Sequence, residues 1–170
     1  MSELSCQVKA PAEFSDEELK DFTAFVLAGG EVMAQGLQGR VENAYALAFL
    51  RSGRGLIGVA GLKRPSNRHR AEVSQGSGVP IPEAEFELEM GWIFVLPSAR
   101  GGKSLPLCTQ LLLAAGVRSV FATTRAGNPA MHRTLAKLGF ARVGQSWPSR
   151  EGDDELLLFV RGIQRATDVP

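Results

Sequence analysis

The stretch Val95–Leu112, V-L-P-S-A-R-G-G-K-S-L-P-L-C-T-Q-L-L, joins an extended apolar segment to a helix through a glycine-rich turn. Gly116 is predicted to end this helix, whose apolar residues recur at helical spacing: Cys108, Leu111, Leu112 and Ala115. Backbone N–H groups in such a turn can converge on an anion, and the helix dipole adds a favourable field. The turn Arg100–Ser104 is therefore a candidate phosphate site, and a plain connecting turn is the alternative.

A second helix is predicted within Asn128–Phe140, N-P-A-M-H-R-T-L-A-K-L-G-F. Asn128 is suited to cap it, and Pro129 to occupy its first position, where a missing N–H costs little. Gly139 ends the helix, and its apolar face is formed by Met131, Leu135 and Leu138. The segment therefore contributes a helix that is followed by a new strand at Phe140.

Together the two segments resemble the Gcn5-related N-acetyltransferase (GNAT) superfamily. In that family the loop after the fourth strand holds the acetyl-CoA pyrophosphate, and a later helix with this Asn…Leu-Gly-Phe pattern flanks the thiol end. The resemblance is most specific over Glu87–Val160. It implies a single domain over residues 1–170 with a mixed α/β fold. That fold has a central, mostly antiparallel twisted sheet with one splayed parallel pair, and helices on both faces.

The resemblance also implies acetyl-CoA as cosubstrate and a set of residues that bind it. Backbone N–H groups at Ile93–Val95 would polarise the thioester carbonyl, as an oxyanion site does. The complete set of implied cofactor-binding residues is Ile93, Phe94, Val95, Arg100, Gly101, Gly102, Lys103, Ser104 and Asn128.

Three positions depart from the family pattern, two in the loop and one in the later helix. With Arg100 aligned to the first residue of the family loop, Lys103 and Leu105 stand where small residues are usual. Lys103 either offers its ammonium to the phosphates or is a solvated loop lysine. Leu135 stands where many members carry a tyrosine that protonates the leaving thiolate, and the single tyrosine, Tyr45, is far away in sequence.

Two acidic residues in the predicted fourth strand, Phe86–Val95, are candidate catalytic groups. Strand alternation predicts one face formed by Glu87, Glu89, Gly91, Ile93 and Val95. The resemblance places Glu89 near the reacting centre, as a base or a water-positioning residue, and Glu87 deeper along the same face. Surface or ion-paired glutamates are the alternative for both.

The N-terminal half is less specific. A capping box at Ser15 and Glu18 predicts the start of a helix, and Glu31–Leu37 a second short one. A hairpin is predicted from two strands, Ala44–Leu50 and Leu56–Lys63.

The segment Arg64–Glu83 lacks sustained periodicity and is predicted to be a long loop. Near its start is a basic cluster: Lys63, Arg64, Arg68, His69 and Arg70. The cluster is either a solvated loop or a lid over the acceptor that attracts an anionic group. His132 is predicted to be exposed, and Trp147-Pro148 to lie in a loop between the last two strands, which form a hairpin-like pair.

The composition fits a small enzyme. Nineteen lysines and arginines against 18 acidic residues leave a net charge of +1, so no nucleic-acid partner is expected. Cys6 and Cys108 give no metal-binding spacing. No signal peptide and no apolar run of membrane-spanning length is recognised, which predicts a cytoplasmic location and no membrane partner.

The predicted reaction is acetyl transfer from acetyl-CoA to a primary amine in a ternary complex. A catalytically degenerate domain that binds CoA or another ligand, as a sensor or interaction partner, is the alternative. The sequence names no amine, and it is compatible with a homodimer.

Overall fold

A computed structural model of the chain describes residues 3–30, 32–150 and 152–162. The strands and helices, in chain order, are β1 (Ser5–Lys9), α1 (Asp16–Ala28), α2 (Leu37–Glu42), β2 (Ala46–Ser52), β3 (Gly55–Lys63), α3 (Asn67–Ser77), β4 (Leu88–Val95), α4 (Ser104–Ala115), β5 (Val120–Arg125), α5 (Pro129–Lys137), β6 (Ala141–Pro148) and β7 (Glu155–Arg161). Short 3-10 turns precede α1 and α4.

The chain divides into two compact units. The first comprises Met1–Arg64 and Met90–Gly116, and the second Pro65–Glu89 and Val117–Pro170. The expectation of one domain over residues 1–170 stays a prediction. The order of hydrogen-bonded strands is β1-β2-β3-β4 in the first unit and β4-β5-β7-β6 in the second, because β4 contributes residues to both.

The first unit is built on the antiparallel strands β1, β2 and β3, and it confirms the predicted hairpin of β2 and β3. Helices cover both faces. The side chain of Val59 packs in a core with Phe22 of α1, whereas a Cβ at the neighbouring Gly58 would meet Leu107 of α4. Since adjacent residues of a strand point to opposite faces, α1 and α4 lie on opposite sides of β3.

The start of α1 confirms the predicted capping box. The Ser15 hydroxyl accepts a bond from the Glu18 N–H at 3.1 Å, and the Glu18 carboxylate accepts one from the Ser15 N–H at 3.0 Å. The bond from the Ser15 backbone holds the pKa of Glu18 below its usual value. The second short helix was predicted at Glu31–Leu37, but α2 spans Leu37–Glu42 and so begins where the predicted helix ends. Residue 31 lies outside the described residues.

The second unit contains the parallel pair. Leu88 and Glu89 of β4 pair with Val120 and Phe121 of β5, and β7 then pairs antiparallel with both β5 and β6. The predicted mixed α/β fold, with a mostly antiparallel seven-stranded sheet and one parallel pair, is confirmed.

The predicted loop Arg64–Glu83 is wrong, because most of it forms α3. Ser66 caps this helix by accepting a bond from the His69 N–H at 3.1 Å, and Gly78 ends it with φ 78°. The buried residues of α3 are Arg70, Val73 and Ser77. Two of these three inward positions are polar, so the helix leaves no apolar stripe for a periodicity argument to detect.

Trp147 lies within β6 rather than in the predicted loop before β7. Its indole packs against Gly76 of α3, where a Cβ would lie 2.7 Å from Cδ1 of the ring. Real Cβ atoms do not approach other atoms so closely, so glycine at this position is a packing requirement.

Two helical glycines give a matched pair of stability variants. Gly76→Ala should lower the free energy of unfolding by about 1–3 kcal/mol, because the new methyl group overpacks the Trp147 ring. Gly39→Ala in α2, where a Cβ would meet no atom within 4 Å, should instead raise it by about 0.5–1 kcal/mol through helix propensity. Equilibrium unfolding in urea measures both changes. Equal effects of the two substitutions would contradict the packing of Trp147 on α3.

Candidate active site

Glu89 is the most deeply buried acidic side chain described, with 2% of its surface exposed. Its carboxylate oxygens Oε1 and Oε2 lie 3.0 and 3.2 Å from Nε2 of His69. The Thr123 hydroxyl donates to Oε2 at 3.3 Å. A buried carboxylate requires such partners, because burial without them is costly. The second unit therefore contains a polar cluster of Glu89, His69 and Thr123.

Three elements of the second unit hold this cluster. Register pairing places Glu89 beside Phe121 of β5, and Thr123 follows two residues later on the same strand. The His69 ring lies parallel to the Phe121 ring within 25°, with centroids 6.4 Å apart. The cap at Ser66 fixes the first turn of α3, from which His69 projects. The sequence analysis predicts a loop at His69. The local signals for the helix are Ser66, which is suited to cap its start, and Gly78, which is suited to end it.

Arg70 fixes the backbone that leads into β4. Its side chain is buried, and its guanidinium donates to the carbonyl of Phe86 at 2.6 Å and to that of Glu87 at 2.7 Å. A third bond, at 3.3 Å, reaches the carbonyl of Ile81. The guanidinium also lies 5.9 Å from the centroid of the Phe121 ring. Arg70 thus ties α3 to the segment immediately before Glu89.

The residues of the predicted basic cluster fall in both units. In the second unit, Arg70 points inward, and Arg68 pairs with Glu72 of the same helix at 3.4 Å. In the first unit, the Lys63 ammonium lies 5.4 Å from the centroid of Trp92, and the Arg64 guanidinium lies over the ring of Tyr45. A role of the cluster as a lid stays a prediction.

Glu87, the second predicted acid, lies one residue before β4, and its side chain is exposed. The structure brings its backbone carbonyl to Arg70. Glu89, in contrast, is buried with His69 and Thr123. Of the two predicted acids, Glu89 is therefore the one that is buried with polar partners. A catalytic role for either acid stays a prediction.

The C-terminal part of β4, in the first unit, departs from the predicted alternation. Trp92 has a φ of 56°, which is rare for a residue with a bulky side chain. A Cβ at Gly91 would lie 2.9 Å from Cε of Lys63, and the Trp92 ring packs over Gly61. Gly61 and Lys63 are two residues apart in β3, so their side-chain positions lie on the same face of that strand. Consecutive residues thus face the same side of β3, so the expected single face from Glu87 to Val95 is wrong beyond Gly91. The irregular backbone at Trp92 is the physical reason.

The last residues of β4 are partly accessible. Ile93 and Phe94 are half-buried, and Val95 is buried. The Phe94 ring meets Phe25 of α1 edge-on, with centroids 6.0 Å apart. The predicted cofactor residues Ile93, Phe94 and Val95 thus lie in the first unit at the end of β4. Their cofactor role stays a prediction.

The predicted turn before α4 is present. Gly101 and Gly102 have φ values of 133° and 75°, and a Cβ at either position would meet no atom within 4 Å. These glycines are therefore required by backbone conformation rather than by neighbouring atoms. Arg100 stabilises the turn, since its Nε donates to the Val95 carbonyl at 3.0 Å and its guanidinium lies over the Phe94 ring.

The start of α4 has no side-chain cap. Lys103 is its N-cap residue and makes no capping bond, and the helix proper begins at Ser104. Uncapped N–H groups at a helix start, together with the helix dipole, can bind an anion. The turn and the first turn of α4 therefore retain the features that the sequence predicted for a phosphate site.

The helix α5 is capped as predicted, because Asn128 Oδ1 accepts a bond from the Met131 N–H at 3.2 Å. Leu135 is 1% exposed and belongs to the core. His132 was predicted to be exposed, but it is half-buried. Its ring packs on Phe159, and its Nε2 lies 3.0 Å from the Arg125 carbonyl oxygen.

Residues 3–30, 32–150 and 152–162 contain neither a candidate metal-binding cluster nor a helix able to span a membrane. No group of three or more histidine, cysteine or acidic side chains could hold a metal ion. None of the helices described there has the length and apolar character needed to cross a membrane.

No protein-family model matches the chain, and no curated protein matches it. Comparison with solved structures does find relatives in fold. An acyl-CoA N-acyltransferase from Pseudomonas aeruginosa is 17% identical with a TM-score of 0.67, over 94% of this chain and 100% of that one. A GNAT-family acetyltransferase from Bacillus cereus is 14% identical with a TM-score of 0.61, over 94% and 99% of the two chains.

A third relative in fold, yncA from Salmonella typhimurium, was solved with its cofactor acetyl-CoA. It is 14% identical with a TM-score of 0.63, over 96% of each chain. At these identities the similarity establishes the fold. The chain has the GNAT fold, and the resemblance inferred from its two sequence motifs is confirmed at that level.

Cys108 of α4 is fully buried, as predicted, and burial raises the pKa of its thiol to about 12. A thiol with so high a pKa carries almost no thiolate at neutral pH, and the thiolate is the nucleophile. Cys108 is therefore a packing residue rather than a candidate for a covalent acyl intermediate.

The two cysteines should differ in reactivity. In the folded chain Cys108 should resist iodoacetamide at pH 8, whereas Cys6, which is only partly buried, should be alkylated slowly. In denaturant both should react at similar rates. Peptide mass spectrometry at successive times measures each rate. Alkylation of native Cys108 as fast as Cys6 would contradict its burial.

Proposed function

We propose that the chain is an N-acetyltransferase that moves the acetyl group of acetyl-CoA to a primary amine by direct attack. The observation that carries this proposal is the turn Arg100–Ser104, where two glycines with left-handed φ precede the uncapped start of α4 in a chain with the GNAT fold. Such a turn is suited to bind a diphosphate through backbone N–H groups.

In this proposal the residues of the first unit bind the cosubstrate in two places. The N–H groups of Arg100–Ser104 hold the diphosphate, and the Lys103 ammonium adds a positive charge. Backbone groups of Ile93–Val95 contact the pantetheine arm and polarise the thioester carbonyl. Arg100 acts indirectly, because its guanidinium holds the turn to β4. The cofactor-binding role of Asn128 stays a prediction of the family resemblance.

The proposed chemistry needs an amine and a group that manages its proton. Holding amine and thioester together in a ternary complex supplies much of the acceleration. We place Glu89 at the reacting centre, either as the proton acceptor or as the anchor of the group that accepts. Since Leu135 is an apolar core residue, the thiolate leaves without a tyrosine at that position to protonate it.

A second candidate function is a CoA-binding module without catalytic activity. The observation that favours it is Leu135, which is buried where many family members carry the acidic tyrosine. The two candidates share a cosubstrate site and differ in turnover. Release of free thiol from acetyl-CoA in the presence of any amine of a broad panel would eliminate the second.

Binding of the cosubstrate can be measured without an acceptor. Acetyl-CoA at about 100 times its Kd should stabilise the folded chain by about 2.7 kcal/mol, which raises the Tm. Lys103→Ala should weaken binding by about 10-fold, because a charge-assisted hydrogen bond contributes about 1.5 kcal/mol. Lys20→Ala, an exposed lysine of α1, is the matched control and should leave the Kd unchanged. Calorimetry gives the Kd values, and the absence of both heat and Tm shift at millimolar acetyl-CoA would contradict the proposal.

The role of Glu89 can be separated from that of Glu87. With an amine that the wild type acetylates, Glu89→Gln should lower kcat by about 10²-fold or more, because it removes the carboxylate but keeps the shape. The Kd of acetyl-CoA should not change. Glu87→Gln, at an exposed position, should have a much smaller effect. The opposite ranking would move the assignment to Glu87, and full activity of both variants would mean that bulk water removes the proton.

A further inference from the structure

We propose that His69 is the proton acceptor for the attacking amine, and that Glu89 is a positioning residue that orients the imidazole. This inference rests on the proposed acetyl transfer and deepens it. The observation behind it is the contact between the His69 ring and the buried carboxylate of Glu89, at 3.0 and 3.2 Å from the two oxygens.

The two members of the pair differ in access to solvent. The Glu89 side chain is 2% exposed, whereas the His69 side chain is 37% exposed. A proton acceptor must come within hydrogen-bond distance of the group that it deprotonates. Of the two, the imidazole is the part that reaches the surface of its unit, so an amine would meet His69 first.

In this proposal Glu89 is ionised, and the positions of the protons follow from that. The Glu89 carboxylate accepts a bond from the Thr123 hydroxyl, and an ionised carboxylate only accepts. The facing Nε2 of His69 then carries the N–H that donates to Glu89. In a neutral imidazole with that tautomer, Nδ1 holds the lone pair. Nδ1 is therefore the atom that takes the proton.

The ring is also held in one orientation. It stacks on Phe121 within 25°, and the backbone N–H of His69 donates to the Ser66 cap. A base that is oriented in advance loses less freedom when the substrate arrives.

Charged groups other than Glu89 around this part of the second unit have partners of their own. Arg70 donates to backbone carbonyls, and Arg68 and Arg150 both pair with Glu72 of α3 at 3.4 and 2.7 Å. The carboxylate of Glu89 is in direct contact with the His69 ring. It stabilises the imidazolium once the proton has arrived.

The step balances without any further reagent. The amine nitrogen forms a bond to the thioester carbonyl carbon, the C–S bond breaks, and sulfur leaves with the electron pair. The proton lost by the amine nitrogen moves to Nδ1 of His69. The imidazolium then returns its proton to water or to the thiolate, and Glu89 stays ionised throughout.

The first test compares His69→Gln with the wild type on an amine that the wild type acetylates. The glutamine amide can still donate to Glu89 but cannot act as a base at neutral pH. We expect kcat to fall by about 10²-fold or more, while the Kd of acetyl-CoA and the Tm stay close to wild type. His132→Gln is the matched control, because His132 is the other histidine of the chain, also half-buried, and lies outside the proposed machinery. It should keep wild-type kcat.

The pH profile separates this role from a structural one. In the wild type, kcat/KM should fall at acid pH as His69 becomes protonated, and His69→Gln should lose that acid limb. Glu89→Gln should move the limb to lower pH, because the imidazolium loses its stabilising carboxylate. An acid limb that persists unchanged in His69→Gln would overturn the proposal, and so would full activity of that variant.

A second measurement does not depend on turnover. NMR can follow the titration of the His69 ring. Its titration midpoint should move to lower pH in Glu89→Gln, because the imidazolium loses its stabilising carboxylate. An unmoved His69 midpoint would overturn the coupling. Wild type that acetylates no amine would defeat the proposed function itself, whereas an active wild type with an equally active His69→Gln would defeat this inference alone.

Discussion

Burial of the Glu89 carboxylate is the constraint on which the second unit depends. A charged group removed from water is tolerated only when polar partners replace its hydration. His69 and Thr123 supply those partners, from α3 and β5. Both elements must therefore be in place for β4 to bury its carboxylate. Loss of either partner would leave the carboxylate with fewer hydrogen bonds, which would lower the free energy of unfolding.

Arg70 applies the same principle to the backbone. Its buried guanidinium donates to carbonyls of the segment before β4. A neighbouring pair of residues on α3, His69 and Arg70, thus holds both the strand that carries Glu89 and the chain that leads into it. The residue that contacts the acid and the residue that holds the segment before the strand are thus adjacent in sequence.

The first unit uses conformational constraint where the second uses charge. Trp92 adopts a positive φ that lets its ring pack over Gly61, and Gly101 and Gly102 adopt backbone angles that other residues avoid. Strain of this kind persists only where the surroundings determine it, and here the side chains of Phe94 and Arg100 do so by packing the end of β4 against the turn. A motif that carries Lys103 and Leu105 in place of small residues therefore still forms a glycine turn before α4.

The sequence by itself determined the elements whose signals are local. The capping box at Ser15, the cap at Asn128 and the turn at Arg100–Ser104 depend on contacts within a few residues, and all three were predicted. Glu89 was predicted as a catalytic candidate from the strand alternation and the family resemblance, and that role stays a prediction. Tertiary structure decided the partners of Glu89 and the irregular backbone at Trp92, whereas α3 had local signals only at its two ends, Ser66 and Gly78. Two of the three buried residues of α3 are polar, so the sequence shows no apolar periodicity there. The helix is instead held by the packing of Trp147 on Gly76 and by the bond from Arg70 to the Phe86 carbonyl.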